Sequence, residues 1–137
     1  MPGFARTLRT RKEVDVAAVY DPNRKLAAKY AMELQAPVVD DPALIFNDPS
    51  ITAVTICGTT PQHNELVGPA ARAGKHMFVE KPLAINARDA ARIALAIQQS
   101  GVIFQTGHFM RSSGLLRFVK QEVAADNLGI ITRARAS

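Results

Sequence analysis

The chain has almost no cysteine. Cys57 stands alone among 137 residues, so no disulfide can close within the chain, and no Cys/His spacing suggests a zinc site. Cys57 lies inside an apolar run and reads as a small core residue rather than a nucleophile. Nor is there an apolar run near the ~20 residues that a membrane-spanning helix needs, and the first residues lack the apolar segment of a secretory leader. No internal repeat, low-complexity tract or linker interrupts the sequence. The expectation from these absences is a cytoplasmic domain with no metal site and no membrane partner.

What is present is an ordinary globular composition, 47% hydrophobic and 21% charged, in a length sufficient for one domain with a core. The net charge is +5. Its cations are spread along the chain, with small groups at the ends (Arg6, Arg9, Arg11 and Lys12; Arg133 and Arg135). Without a basic run, recognition helix or stacking motif, nucleic acid is not expected as a partner. Solvated helix faces and a small anionic ligand account for the basicity.

Strand-like and helix-like segments alternate. Residues 3–11, with Phe4 and Leu8 four apart on one face, resemble the last turns of a helix. Val14 to Tyr20 reads as a buried strand and ends at Asp21-Pro22, a cap followed by a first-turn proline. A helix to Leu34, a short strand at Pro37-Val38-Val39 and a short helix from Pro42 to Asn47 follow. Ala53 to Cys57 is the next buried strand. Thr60-Pro61 repeats the cap-then-proline pattern before a helix that Gly74 stops. His76 to Val79 is an apolar strand that ends abruptly in Glu80-Lys81-Pro82. Asn86 and Asp89 cap a helix with Ile93, Ala94 and Ile97 on its buried face, and Gly101 ends it. A strand at Val102 to Gln105, a helix from Ser113 to Ala125 and the start of a strand at Ile130-Ile131-Thr132 complete the series. Such alternation with short connections predicts an α/β, doubly wound parallel sheet. Ligands of such sheets bind beyond the carboxyl ends of the strands, which is where Glu80 and Lys81 fall.

The segment Ala73-Gly74-Lys75-His76, an apolar strand, then Glu80-Lys81-Pro82-Leu83 resembles the Gfo/Idh/MocA oxidoreductases. Val19-Tyr20-Asp21-Pro22, Asp48 to Val54, Thr60-Pro61-Gln62-His63, and Gly107 with Arg111 resemble further segments of that family in the same order. The resemblance implies a Rossmann-type cofactor domain that begins with one more strand and a G-x-G-x-x-G turn. No three glycines in this sequence have that spacing. It also implies a second, larger α/β substrate domain. The chain therefore reads as residues 1–128 of a partial NAD(P)-binding Rossmann domain lacking the first strand and the glycine-rich turn, with residues 129–137 the start of a C-terminal domain. Met1 to Phe4 would lie inside the first helix of a longer relative. The parent would be an NAD(P)-dependent oxidoreductase acting on a hydroxyl or ketone of a sugar, cyclitol or similar small molecule. The fragment alone is expected to be inactive; the alternative is a non-catalytic dinucleotide-fold remnant or interaction module.

By the same resemblance Lys81 is the catalytic candidate, beside the nicotinamide and the substrate hydroxyl. A cation there stabilises a developing alkoxide and can share in proton transfer. Without the resemblance Lys81 is a surface turn residue paired with Glu80. The family also suggests a cis Lys81-Pro82 bond. Glu80 would position the cofactor. Asp21 is a helix cap, a ribose ligand that leans to NAD, or both, while nearby Arg24 would suit the 2′-phosphate of NADP. Gly58, Thr59, Thr60 and His63 would run along the cofactor, although Thr60 can equally be a cap and His63 a packing residue. Gly58-Thr59 departs from the family's usual Thr-Pro. Arg111 would reach a substrate or cofactor anion, and His76 reads as a surface residue.

Overall fold

The computed structural model describes residues 2–133 and residue 135. Helices start where short polar side chains receive amide groups that have no partner in the first turn. Asn23 accepts from Lys25 and Leu26 at the head of α2 (Arg24–Leu34). Asp41 accepts from Ala43 at the head of α3 (Pro42–Phe46). Asn86 accepts from Asp89 at the head of α5 (Ala87–Ser100). The remaining helices are α1 (Pro2–Thr10), α4 (Thr60–Arg72) and α6 (Gly114–Ala124), with a 3₁₀ turn at Phe109–Ser112. The side chain of Phe4, expected beside Leu8, lies outside the described residues.

Three parallel strands form one sheet in the order β1 (Ala53–Ile56), β2 (His76–Val79), β3 (Phe104–Thr106). Ile56 is in register with Val79, and Val79 with Thr106. This is a Rossmann-like α/β arrangement, and its three strands fall at the expected segments from Ala53, His76 and Val102. Helix α4 packs on β1 and β2, and α5 packs on α4. The core lies between them: Phe46, Ile56, Val67, Ala70, Ala71, Met77, Val79 and Ile93. Strand β2 buries alternate residues, Met77 and Val79, while Phe78 is half-buried on the other side and His76 is exposed.

Several expectations are corrected. Val14 to Tyr20 forms no strand and is not buried as a run; it makes one parallel bridge, Val19 to Val38. Val19 donates to the Pro37 carbonyl and accepts from the Val39 amide. A Val/Ala run has the propensity for a strand, but a ladder also needs a partner along its length, and no longer pairing forms here among the described residues. The segment Pro37-Val38-Val39 is reduced to that same bridge. For the same reason β1 is a sheet edge, with Ala53 and Thr55 exposed. Ala94 is exposed because α5 turns Ile93 and the half-buried Ala90 and Ile97 inward instead. Residues 130–132 carry no strand, and Ile130 is 92% exposed.

The chain divides into two compact units, Met1–Thr106 and Gly107–Ser137. The first holds the sheet and α1 to α5. In the second, the 3₁₀ turn packs on α6, which leaves Leu115, Phe118 and Val123 exposed.

Candidate functional site

Strands β1 and β2 are hydrogen-bonded neighbours running in the same direction, so their carboxyl ends open at one edge. The loop after β1 and the turn after β2 meet there. Glu80 donates its amide to the Ile56 carbonyl at 2.9 Å, which carries the sheet pairing one residue past Val79. Lys81 follows, with its backbone N–H on Glu80 Oε2 at 3.0 Å. The half-buried Glu80 carboxylate thus folds back on the turn, and the Lys81 side chain is exposed at the edge. The Lys81-Pro82 peptide bond is cis.

Across from this turn lies the loop Cys57 to Thr59. The cap of α4 is Thr59, one residue before the expected Thr60, which is the first helical residue. Gln62 explains the shift. Its Oε1 accepts from the Thr59 amide at 2.7 Å and from Thr59 Oγ1 at 2.9 Å, the reach-back half of a capping box. A Cβ on Gly58 would lie 2.6 Å from that same oxygen. A larger residue at Gly58 would push the Gln62 side chain off the Thr59 amide, and Gln62 is a loop-fixing residue whose place three after a threonine was a readable signal.

His63 is 1% exposed. Its Nε2 faces the Gly58 carbonyl and its Nδ1 the Leu83 carbonyl, each at 3.2 Å. Both ring nitrogens are thus engaged by the protein, one on each side of the edge. The thiol of Cys57 is pushed up to about 11 by burial, with the nearby Glu80 carboxylate adding to the rise. A raised thiol pKa means stability that is complete below about 9 and is lost as pH rises toward about 11. Cys57 in the folded chain is expected to react with an aromatic disulfide reagent at pH 8 at least ~10-fold more slowly than in urea. Cys57 is half-buried beside the core rather than a core residue, and a rate equal to that of the unfolded chain would refute even that partial burial.

The acid expected to begin α2 sits before it. Asp21 Oδ1 accepts from the Asn23 amide at 2.8 Å, and Asn23, not Asp21, is the cap. A carboxylate has further acceptor capacity, so this turn does not exhaust Asp21. Arg24 lies on the exposed face of α2, in an ion pair with Asp40 at 3.4 Å. Such a pair is worth ~0–1 kcal/mol and yields readily to a better anion. Arg111 lies in the second unit, exposed in the 3₁₀ turn. His76 is exposed as expected, and its Nδ1 accepts from the Ile103 amide.

Lys75 carries a role that the sequence reading missed. It is 5% exposed, and its Nζ donates to the carbonyls of Asp48 and Ile51, each at 2.6 Å. Its own amide bonds Ala70 O while that of Gly74 (φ 73°) bonds Ala71 O, the paired closure of a Schellman motif. Nearby, Ser50 holds the Asp48 carboxyl below its ordinary range through side-chain and backbone hydrogen bonds, and Lys75 contributes a smaller part.

Among the described residues no cluster of three His, Cys, Asp or Glu could hold a metal ion, and no helix is long and apolar enough to cross a membrane. Gly58 to Thr60, Glu80 and Lys81 form one polar edge beyond the carboxyl ends of β1 and β2. No glycine-rich turn among these residues offers a cradle for the pyrophosphate.

The family model for GFO_IDH_MocA, described as "Oxidoreductase family, NAD-binding Rossmann fold", matches residues 3–108. Among curated relatives, the myo-inositol 2-dehydrogenase of Thermotoga maritima is 32% identical over 125 residues, covering 86% of this chain and 36% of that protein. An inositol 2-dehydrogenase of Pseudomonas fluorescens is 37% identical over 108 residues, covering 77% of this chain and 32% of that protein. The crystal structure of scyllo-inositol dehydrogenase from Lactobacillus casei, with bound NAD(H) and scyllo-inositol, superposes with a TM-score of 0.83 at 26% identity, over 93% of this chain and 38% of that one. The chain spans about a third of the length of these relatives.

Proposed function

The chain belongs to the Gfo/Idh/MocA oxidoreductase family, and on that footing we propose that it forms the nicotinamide-binding part of an NAD(P)-dependent oxidoreductase acting on a hydroxyl or ketone of a sugar or cyclitol. The observation that carries this reading is the shared edge of β1 and β2, which sets Gly58 to Thr60 beside Glu80-Lys81. The inositol dehydrogenases among the relatives support the substrate class.

A bound nicotinamide would supply the hydride acceptor or donor. The chain's own residues do the rest. The exposed Lys81 ammonium would hold the substrate oxygen as its hydroxyl loses its proton. Glu80, anchored on the Lys81 amide, fixes the direction of that turn. Gly58 and Thr59 line the opposite side, with Gln62 holding the Thr59 backbone. Asp21 meets the adenosine ribose hydroxyls and favours NAD over NADP. Residues 1–128 are the cofactor domain, residues 129–137 lead into a substrate domain, and Arg111 reaches an anionic group of cofactor or substrate.

Two titrations with NADH test this division of labour. The 137-residue chain by itself is expected to show no low-micromolar binding, since helix-turn amides from a glycine-rich segment hold the pyrophosphate in such folds. The same chain preceded by the residues that come before the matched segment in the Thermotoga maritima relative is expected to bind. A folded extended protein that binds no dinucleotide would overturn the proposal. Low-micromolar binding by the 137 residues alone would overturn the assignment of the pyrophosphate to a missing turn.

A further inference from the structure

We propose that His63 is a positioning residue, a brace that sets the spacing between the Gly58–Thr60 loop and the Glu80–Lys81 turn. The inference rests on the reading that these two loops form the cofactor edge. Its basis is the geometry of one ring. His63 lies on the buried stripe of α4, one turn before Val67, and is 1% exposed. Its two nitrogens face carbonyls from loops that follow different strands, Gly58 after β1 and Leu83 after β2.

A carbonyl only accepts, so each contact needs a ring N–H. A neutral imidazole has one N–H and bonds one loop in either tautomer, while its other edge packs against the second. The imidazolium donates to both. No apolar residue of similar size can do this: it would fill the space and offer neither carbonyl a ring donor. A ring held in this way contributes to the site through the two loops it joins.

Amide hydrogen exchange on the 137-residue chain reads the brace without any cofactor. In His63→Leu, exchange at the bonded loop amides, Thr59 and Lys81, is expected to accelerate about tenfold, the loss of one hydrogen bond. Exchange at Met77–Val79 and within α5 is expected to hold within about twofold. His63→Gln, which keeps an N–H donor, should restore part of the protection. Unchanged loop exchange in His63→Leu, or equal acceleration throughout the sheet, would overturn the brace, as would no rescue by His63→Gln. If His63→Leu does not fold, the wild-type ring decides. A His63 ring N–H that exchanges far more slowly than that of the exposed His108 supports the brace; equal rates overturn it. A brace that passes these tests in a chain whose extended form binds no dinucleotide would leave the loop coupling standing and remove the functional reading alone.

Discussion

Replacing Lys75 by Met is expected to lower the unfolding free energy by about 2–4 kcal/mol. Methionine matches the length and apolar stem of lysine, so packing changes little. What disappears is an ammonium donating to two carbonyls, those of Asp48 and Ile51, from a site only 5% exposed. A hydrogen bond to a charged group is worth ~1.5–3 kcal/mol, and the carbonyls left behind stay desolvated. Removing the charge also returns the desolvation cost of burying it, which keeps the net effect below the sum of two bonds. Since domains are stable by ~5–15 kcal/mol, the urea midpoint should fall clearly while the slope stays the same. The Asp48 titration should move little, because Ser50 dominates its depression and Lys75 is a lesser cause. As a depressed carboxylate, Asp48 contributes stability above the ordinary aspartate range and loses it as pH falls through the folded value. An unchanged midpoint for Lys75→Met would mean that water replaces the ammonium and that the residue holds nothing together. Lys75 anchors the residues leading into β1 and β2 at their amino ends, the end opposite Gly58 and Lys81, so its loss reads out as stability rather than as a change at the edge.

Sequence periodicity and punctuation were enough to locate most helices and the strands β1 to β3. These are local signals: Asn86 with Asp89, Pro42 after Asp41, Gly101 after Ser100. They were less informative where a side chain chooses between neighbouring roles. Asp21 and Asn23 compete for the head of α2, and the amides of Lys25 and Leu26 go to Asn23. Thr59 and Thr60 compete for α4, and Gln62 decides for Thr59. Strand pairing is not local at all. Val14 to Tyr20 has strand composition but only one bridge, because composition does not provide a partner. The same holds for the candidate site. Glu80 and Lys81 could be placed at a strand end from sequence. The reach of Lys75 to Asp48, 27 residues away, and of His63 to Leu83, 20 residues away, depends on how the strands stack and leaves no mark in a single sequence beyond the residue types themselves.

Lys81→Met is expected to cost about 10²–10⁴-fold in kcat, the range typical of a positioned acid–base group, in a chimera where this chain replaces the matching segment of the Thermotoga maritima myo-inositol 2-dehydrogenase. The chimera provides the two thirds of length that the 137 residues do not span, so turnover can be measured. Lys81 stands exposed beyond β2 with only its backbone amide tied, to Glu80. Truncating its charge therefore disturbs no hydrogen bond described in the fold, and the melting temperature should hold within a few degrees. NADH affinity should change only a few-fold, because an ammonium that acts on the substrate oxygen stabilises the developing alkoxide more than it stabilises bound cofactor. Lys81→Arg keeps the charge but places it on a larger planar group that retains its proton. It should recover part of the electrostatic effect and little of any proton transfer. These outcomes separate two roles for one residue. A large fall in kcat with NADH affinity kept assigns Lys81 to the reacting oxygen. A rise in the NADH dissociation constant with kcat unchanged would make it a cofactor contact and end the catalytic assignment.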